Sequence, residues 1–221
     1  MNMTLVSFYA DLGKDKFYTE KATKLRARCQ RLGIPFRIEQ RADRGEWLQN
    51  TLIKASFIRE MVQEIGCVLW LDVDSWLKGD VLAPAIKALE GCDVAIVPHG
   101  NKPWPHEPRP LVDESRLLHT PLRIFDHLHA WSPTRQTMAL LDRWVELCER
   151  ATKNPKQNVF SDHRFLQRTI DEALIAGQVR LGYLPGMGKN DLVAWKGARV
   201  HGRKAALNRV TKLTEAAKTK L

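Results

Sequence analysis

The sequence predicts an α/β domain built on a mainly parallel central sheet flanked by helices. Three observations predict it. Short apolar, β-prone runs alternate with longer runs of helical spacing. The runs end at Gly, Pro or Asp, where a chain turns. One apolar run, inside "GCVLWLDVDSWLKGD" from Gly66 to Asp80, ends in two carboxylates, as a strand does when it reaches the ligand-binding edge of such a sheet. At 221 residues, with 44% hydrophobic and 27% charged content, the chain suffices for one enzyme-sized core.

The chain opens with "MTLVSFYA", a first strand stopped by Asp11 and Gly13. "DKFYTEKATKLRARCQRLG" then sets Phe17, Ala22, Leu25, Cys29 and Leu32 at helical spacing among Lys and Arg, with Gly33 and Pro35 as stops, so a surface helix follows. "PFRIEQ" is a second short strand. From Trp47 to Ile65 apolar residues recur three and four apart, which predicts one helix closed by Gly66. That helix feeds the third strand, "CVLWL". "VLAPAIKALEG" is a short helix and "CDVAIVPHG" another core strand.

The segment from Asn101 to Pro121 breaks this rhythm. "NKPWPHEPRP" carries four prolines in ten residues and suits neither helix nor central strand. It reads as an active-site loop, flanked by Trp104 and Trp131, with His99, His106, His119, His127 and His129 around it. "SPTRQTMALLDRWVELCER" is a helix with a Ser-Pro start and apolar Met138, Leu141, Trp144, Val145 and Cys148. "SDHRFLQRTIDEALIAG" is the last helix, begun by Ser161 or Asp162, and "VRLGYLP" the last strand. No internal repeat is present. Residues 1–195 thus form the domain, and 196–221 a basic segment packing on it or extending from it.

The formal charge is +10, and residues 196–221 hold eight basic residues against one acidic, so +7 of it lies there. Such a tail attracts nucleic acid, an anionic membrane surface or an anionic substrate, or is simply a solvated end. No stretch approaches the ~20 apolar residues of a membrane span, and the N-terminus lacks a signal-peptide pattern. Cys29, Cys67, Cys92 and Cys148 are far apart, without metal-binding spacing. They read as reduced thiols, consistent with a cytoplasmic location.

Alternation puts Asp72 and Asp74 on the same face, and the turn at a strand end lets both converge on one point. Two such anions call for a cation between them. All-oxygen ligation suits Mg²⁺ or Mn²⁺, commonly shared with substrate phosphates, so a di- or triphosphate substrate is implied. The plainer alternative has one Asp capping the turn and the other solvated.

"VLWLDVDSWLKGD" resembles the signature of GT-A-fold nucleotide-sugar glycosyltransferases, in which an apolar strand ends in an Asp-x-Asp that binds a divalent metal and the donor diphosphate. "KASFIREMV" is similar to the K-x-x-F-I run on the helix before that strand. "WSPTRQTMALLDRWVE", "FSDHRFLQRTI" and "VHGRKA" resemble three later segments in the family's order, the last one like the His-bearing segment of the glycogenin-like branch. The resemblance implies a GT-A-like fold and a metal-dependent transferase whose donor would be a UDP-sugar. It places Ser7 and Tyr9 at the nucleotide, Lys54 at phosphate or nucleotide, Asp72 at ribose or metal, and Asp74 and His201 on the metal. Arg203 and Lys204 would stabilise the departing diphosphate, and Asp162 would take the acceptor's proton, its other reading being a helix cap. Two departures, "LRIFDHLHAW" for a Gly-bearing segment and no Lys-Pro-Trp after the C-terminal His, leave acceptor and stereochemistry open.

The acceptor reading divides between DNA with hydroxymethylated bases and a lipid-linked or cell-envelope glycan at an anionic membrane, where "LNRVTKLTEAAKTKL" would form a basic amphipathic helix. Two other classes compete. A haloacid-dehalogenase-type phosphatase also ends a strand in Asp-x-Asp, but on the first strand and with a downstream acidic pair that is not evident here. A non-catalytic nucleic-acid-binding domain leaves the carboxylates unexplained.

Overall fold

The computed structural model describes residues 1–99, 123–153, 162–184 and 193–195. The elements are β1 (Met3–Tyr9), α1 (Phe17–Arg31), β2 (Phe36–Gln40), α2 (Trp47–Thr51), α3 (Lys54–Ile65), β3 (Cys67–Leu71), β4 (Ser75–Leu77), α4 (Leu82–Leu89), β5 (Val94–His99), β6 (Arg123–Trp131), α5 (Arg135–Lys153), α6 (Asp162–Ile175), β7 (Leu181–Tyr183) and β8 (Val193–Trp195). The expected order of strands and helices is present. The Pro-rich loop and the segment 196–221, with His201, Arg203 and Lys204, lie outside the described residues.

Six strands form one sheet in the order β2-β1-β3-β6-β5-β7. Five share one direction, and β6 runs against both its neighbours. The sequence reading did not recognise β6 as a strand, because Asp126 and His127 interrupt its apolar character. A second ribbon pairs β4 with β8, also unanticipated.

Alternation along the strands divides the core. Val6, Val68, Trp70 and Ile96 face α3, α5 and α6. Leu5, Leu69, Leu71 and Ala95 face α1 and α4. Trp131 and Trp144 are fully buried and stacked at 6.2 Å, so both belong to the core. Gly66, at φ 95°, takes the left-handed turn that ends α3 and starts β3.

The predicted single helix over 47–65 is two. Asn50 donates its side-chain amide to Asp43 and accepts from the backbone N–H of Arg44, while the Thr51 hydroxyl donates to the Leu48 carbonyl. These side-chain bonds compete with helix continuation, and the chain restarts at Lys54.

Candidate active site

Asp72 and Asp74 lie in a tight turn where β3 leaves the sheet, with the Ser75 N–H donating to the Asp72 carbonyl at 2.9 Å. This is the carboxyl edge of the parallel strands. The turn gives the two carboxylates different surroundings.

Asp72 faces the α3–α6 side. Its Oδ1 accepts from Trp70 Nε1 at 2.9 Å and lies 3.1 Å from Lys54 Nζ, while Oδ2 pairs with His127 Nδ1. Burial works against its charge, but Lys54 and His127 outweigh burial and hold the carboxyl below the usual range.

Lys54 begins α3 and is 5% exposed. Its ammonium also meets Asp126 Oδ2 at 3.2 Å and Asp162 Oδ2 at 2.9 Å, and lies 5.3 Å from the Trp70 ring centroid. The Asp162 contact is an ion pair set off the hydrogen-bonding direction. Burial would discharge a lone lysine, yet Asp126, Asp162 and Asp72 together keep this one strongly basic. One cation thus joins residues from β3, β6, α3 and α6.

Asp126 and His127 reach this point because β6 is irregular. Ile96 of β5 pairs with His129, and the next residue, Val97, pairs with Phe125. Asp126, His127 and Leu128 lie between those partners, released from β5, as bulges beside functional sites commonly release residues. Asp126 also receives His163 Nδ1 at 3.1 Å. Burial opposes its charge, and Lys54, His127 and His163 overcome burial, leaving its carboxyl well below the ordinary range. Burial likewise opposes protonation of His127, but Asp126 and Asp72 raise it to about 9.

Asp74 is different. It is 8% exposed, and among the described residues no Lys, Arg or His side chain pairs with it. Burial, then Asp72, raises its carboxyl to about 6. It lies in electrostatic range of α1, where burial and then Asp74 push the Tyr18 phenol up to about 12. Asp74 is therefore the carboxylate with an unmet need for a cation. Among the described residues no three His, Cys, Asp or Glu side chains are grouped as a metal cage.

The remaining expectations fall as follows. Ser7 is fully buried with its hydroxyl unpartnered, and Tyr9 is 8% exposed with the Arg26 guanidinium 5.3 Å from its ring centroid. Asp162 opens α6, 2% exposed, and burial raises its carboxyl although Lys54 partly offsets this. Its backbone carbonyl accepts from Trp144 Nε1 at 3.1 Å. β8 brings the chain back to this edge: Trp195 pairs with Ser75, the residue after Asp74, while His201 lies outside the described residues. Asp126 and His163 were not anticipated; the Asp-His pairs "DH" at 126–127 and 162–163 were the available signal.

No protein-family model matches the chain, and no curated protein matches its sequence. Solved structures do match in fold. One is the crystal structure of a glycosyltransferase involved in the glycosylation of the major capsid of PBCV-1, with TM-score 0.51 and 14% identity over 82% of this chain and 80% of that one. Another is the apo structure of the WbbM bifunctional glycosyltransferase, with TM-score 0.54 and 12% identity over 83% of this chain and 38% of that one. The chain is thus a GT-A-like α/β domain, with the carboxylates of β3 at the edge where that architecture binds ligands.

Proposed function

We propose that the protein is a metal-dependent glycosyltransferase moving a sugar from a nucleoside-diphosphate donor, a UDP-sugar foremost, to a hydroxyl on a polyanionic acceptor such as hydroxymethylated DNA. The observation that carries this is Asp74: a buried carboxylate at the exit of a central strand, lacking a side-chain cation among the described residues. Asp74 and the free lone pairs of Asp72 would hold Mg²⁺ or Mn²⁺, with His201, six residues after Trp195 in sequence, a further candidate. When bound, the cation supplies charge neutralisation for the diphosphate.

The protein's own residues have separable parts. Lys54 and His127 keep Asp72 ionised and fixed, a preorganised anion that need not reorient during reaction. In the transfer, the bond from the anomeric carbon to the diphosphate oxygen breaks with its electrons staying on that oxygen. The acceptor oxygen forms the new bond and gives up its proton, for which Asp162 is the candidate base, its raised carboxyl favouring uptake. Asp72 is engaged on both oxygens, which does not suit the nucleophile that a phosphatase reading needs.

Donor hydrolysis tests the proposal. The protein with UDP-sugars and Mn²⁺ is expected to release UDP, and Asp74→Ala to abolish the release. Full metal-dependent turnover by that variant would overturn the site.

A further inference from the structure

The second concentration of positive charge in this chain lies on α1. Residues 14–31 hold seven basic residues and two acidic, a surplus of five, in a stretch unrelated to the basic C-terminal segment. Their arrangement is ordered. Ala22, Leu25 and Cys29 bury one face of α1, and Lys21, Lys24, Arg28 and Arg31 follow one residue behind that face, at spacings of three, four and three. They form a single stripe about 15 Å long.

The stripe borders β4. Arg28 Nε donates to the Leu77 carbonyl at 2.6 Å, and its guanidinium lies 5.0 Å from the ring centroid of Trp76. Trp76 projects outward between buried Ser75 and Leu77 and is 45% exposed. β4 begins at Ser75, the residue after Asp74, so the face that the stripe and β4 share adjoins the candidate site.

Elsewhere arginines are commonly matched by carboxylates: Arg41 with Glu39 and Glu60, Arg143 with Glu146 and Glu172, Arg180 with Asp93. Among the described residues no carboxylate pairs with Lys21, Lys24, Arg28 or Arg31. The positions facing solvent beside them, Thr23, Ala27 and Gln30, offer no apolar anchor for insertion into a bilayer. A line of unmatched cations with one exposed aromatic ring fits a linear phosphodiester, whose backbone meets the charges while an unpaired base stacks on the ring.

We propose that the α1–β4 face, through Lys21, Lys24, Arg28, Arg31 and Trp76, docks a single nucleic-acid strand along a path that ends at Asp74. Its meaning as acceptor docking rests on the transferase reading, but binding requires neither donor nor metal.

The test uses the full chain, so that the basic C-terminal segment is present throughout. Fluorescence anisotropy follows a labelled single-stranded oligonucleotide, and the same sequence as duplex, over a salt series without donor or metal. Lys24 and Arg31 are exposed and make no fold contact described above, so K24Q/R31Q keeps the structure. It is expected to weaken single-strand binding and to flatten the slope of log K against log salt by about 1.4, two lost charges at ~0.7 each. Trp76→Ala is expected to erase the preference for single strand over duplex. An unchanged slope in K24Q/R31Q, meaning that the C-terminal segment binds alone, overturns the docking face. So does tighter binding to phosphatidylserine vesicles than to the oligonucleotide. Failure of UDP release with intact, stripe-dependent binding would instead overturn the transferase reading alone.

Discussion

Lys54 Nζ stands 2.9 Å from Asp162 Oδ2, so the first residue of α3 and the first residue of α6 meet in the interior as an ion pair. The same ammonium serves Asp72 and Asp126. A buried ion group of this kind is costly to break because its remaining members lose their compensation.

Lys54→Met is therefore expected to destabilise the protein by about 3–5 kcal/mol. A fall in the urea midpoint measures it. Asp162→Asn in the same chain should cost less than additively, since the two substitutions remove one shared interaction.

His127 predicts a pH dependence. Its folded pKa, about 9, stands above the ordinary imidazole value. Protonation thus favours the folded state, and the contribution is complete below pH ~6.5 and lost as pH rises through about 9. Thermal melts at pH 6.5 and 9.5 should show a stability loss of about 1–3 kcal/mol in the parent and a flatter profile in His127→Gln.

Asp74 predicts the reverse of a stabilising carboxylate. With its folded pKa raised to about 6, its charged form is disfavoured in the metal-free protein, and stability falls as pH rises through that value. At pH 7.5 Asp74→Asn is expected to keep or raise the unfolding free energy, by about 1–2 kcal/mol, while lowering Mn²⁺ affinity about 100-fold. Protons compete for the same oxygens, so parent Mn²⁺ affinity measured by calorimetry should drop below pH 6.

Gly182 is a packing test remote from the site. A Cβ there would lie 1.8 Å from the Ala88 carbonyl oxygen of α4. Backbone cannot yield as a side-chain tip does, so Gly182→Ala should cost about 3 kcal/mol by separating β7 from α4. Denaturant unfolding measures it, and loss of cooperativity would locate the damage in the edge strand.

The sequence made the β-α order legible because apolar spacing in "KASFIREMVQEI" and "CVLWL" differs in period, and because Gly66 separates them. It made Asp72 and Asp74 legible as a strand exit. It did not reveal their divergence, which depends on a turn and on Lys54, 18 residues earlier in the chain. β6 was hidden for the same reason that it matters: charged residues inside a strand look like loop until a bulge and a buried lysine account for them. The total charge also misled. Most of the excess belongs to residues 196–221, and acidic residues elsewhere reduce the surplus of five in residues 14–31 to three over the whole of residues 1–195, although α1 holds its cations apart from those acids.

The reversed strand has a consequence for how the chain is made. β3 and β5 never bond to each other; each bonds to β6, which emerges later than both. During synthesis the β2-β1-β3 unit can close on its helices early, while β5 awaits a neighbour supplied from residues 123–131. The strand that joins the two halves also carries Asp126 and His127. The ion group around Lys54 therefore waits for β6 and then for Asp162 of α6, so a nascent chain completes it only after more than two thirds of its residues have emerged.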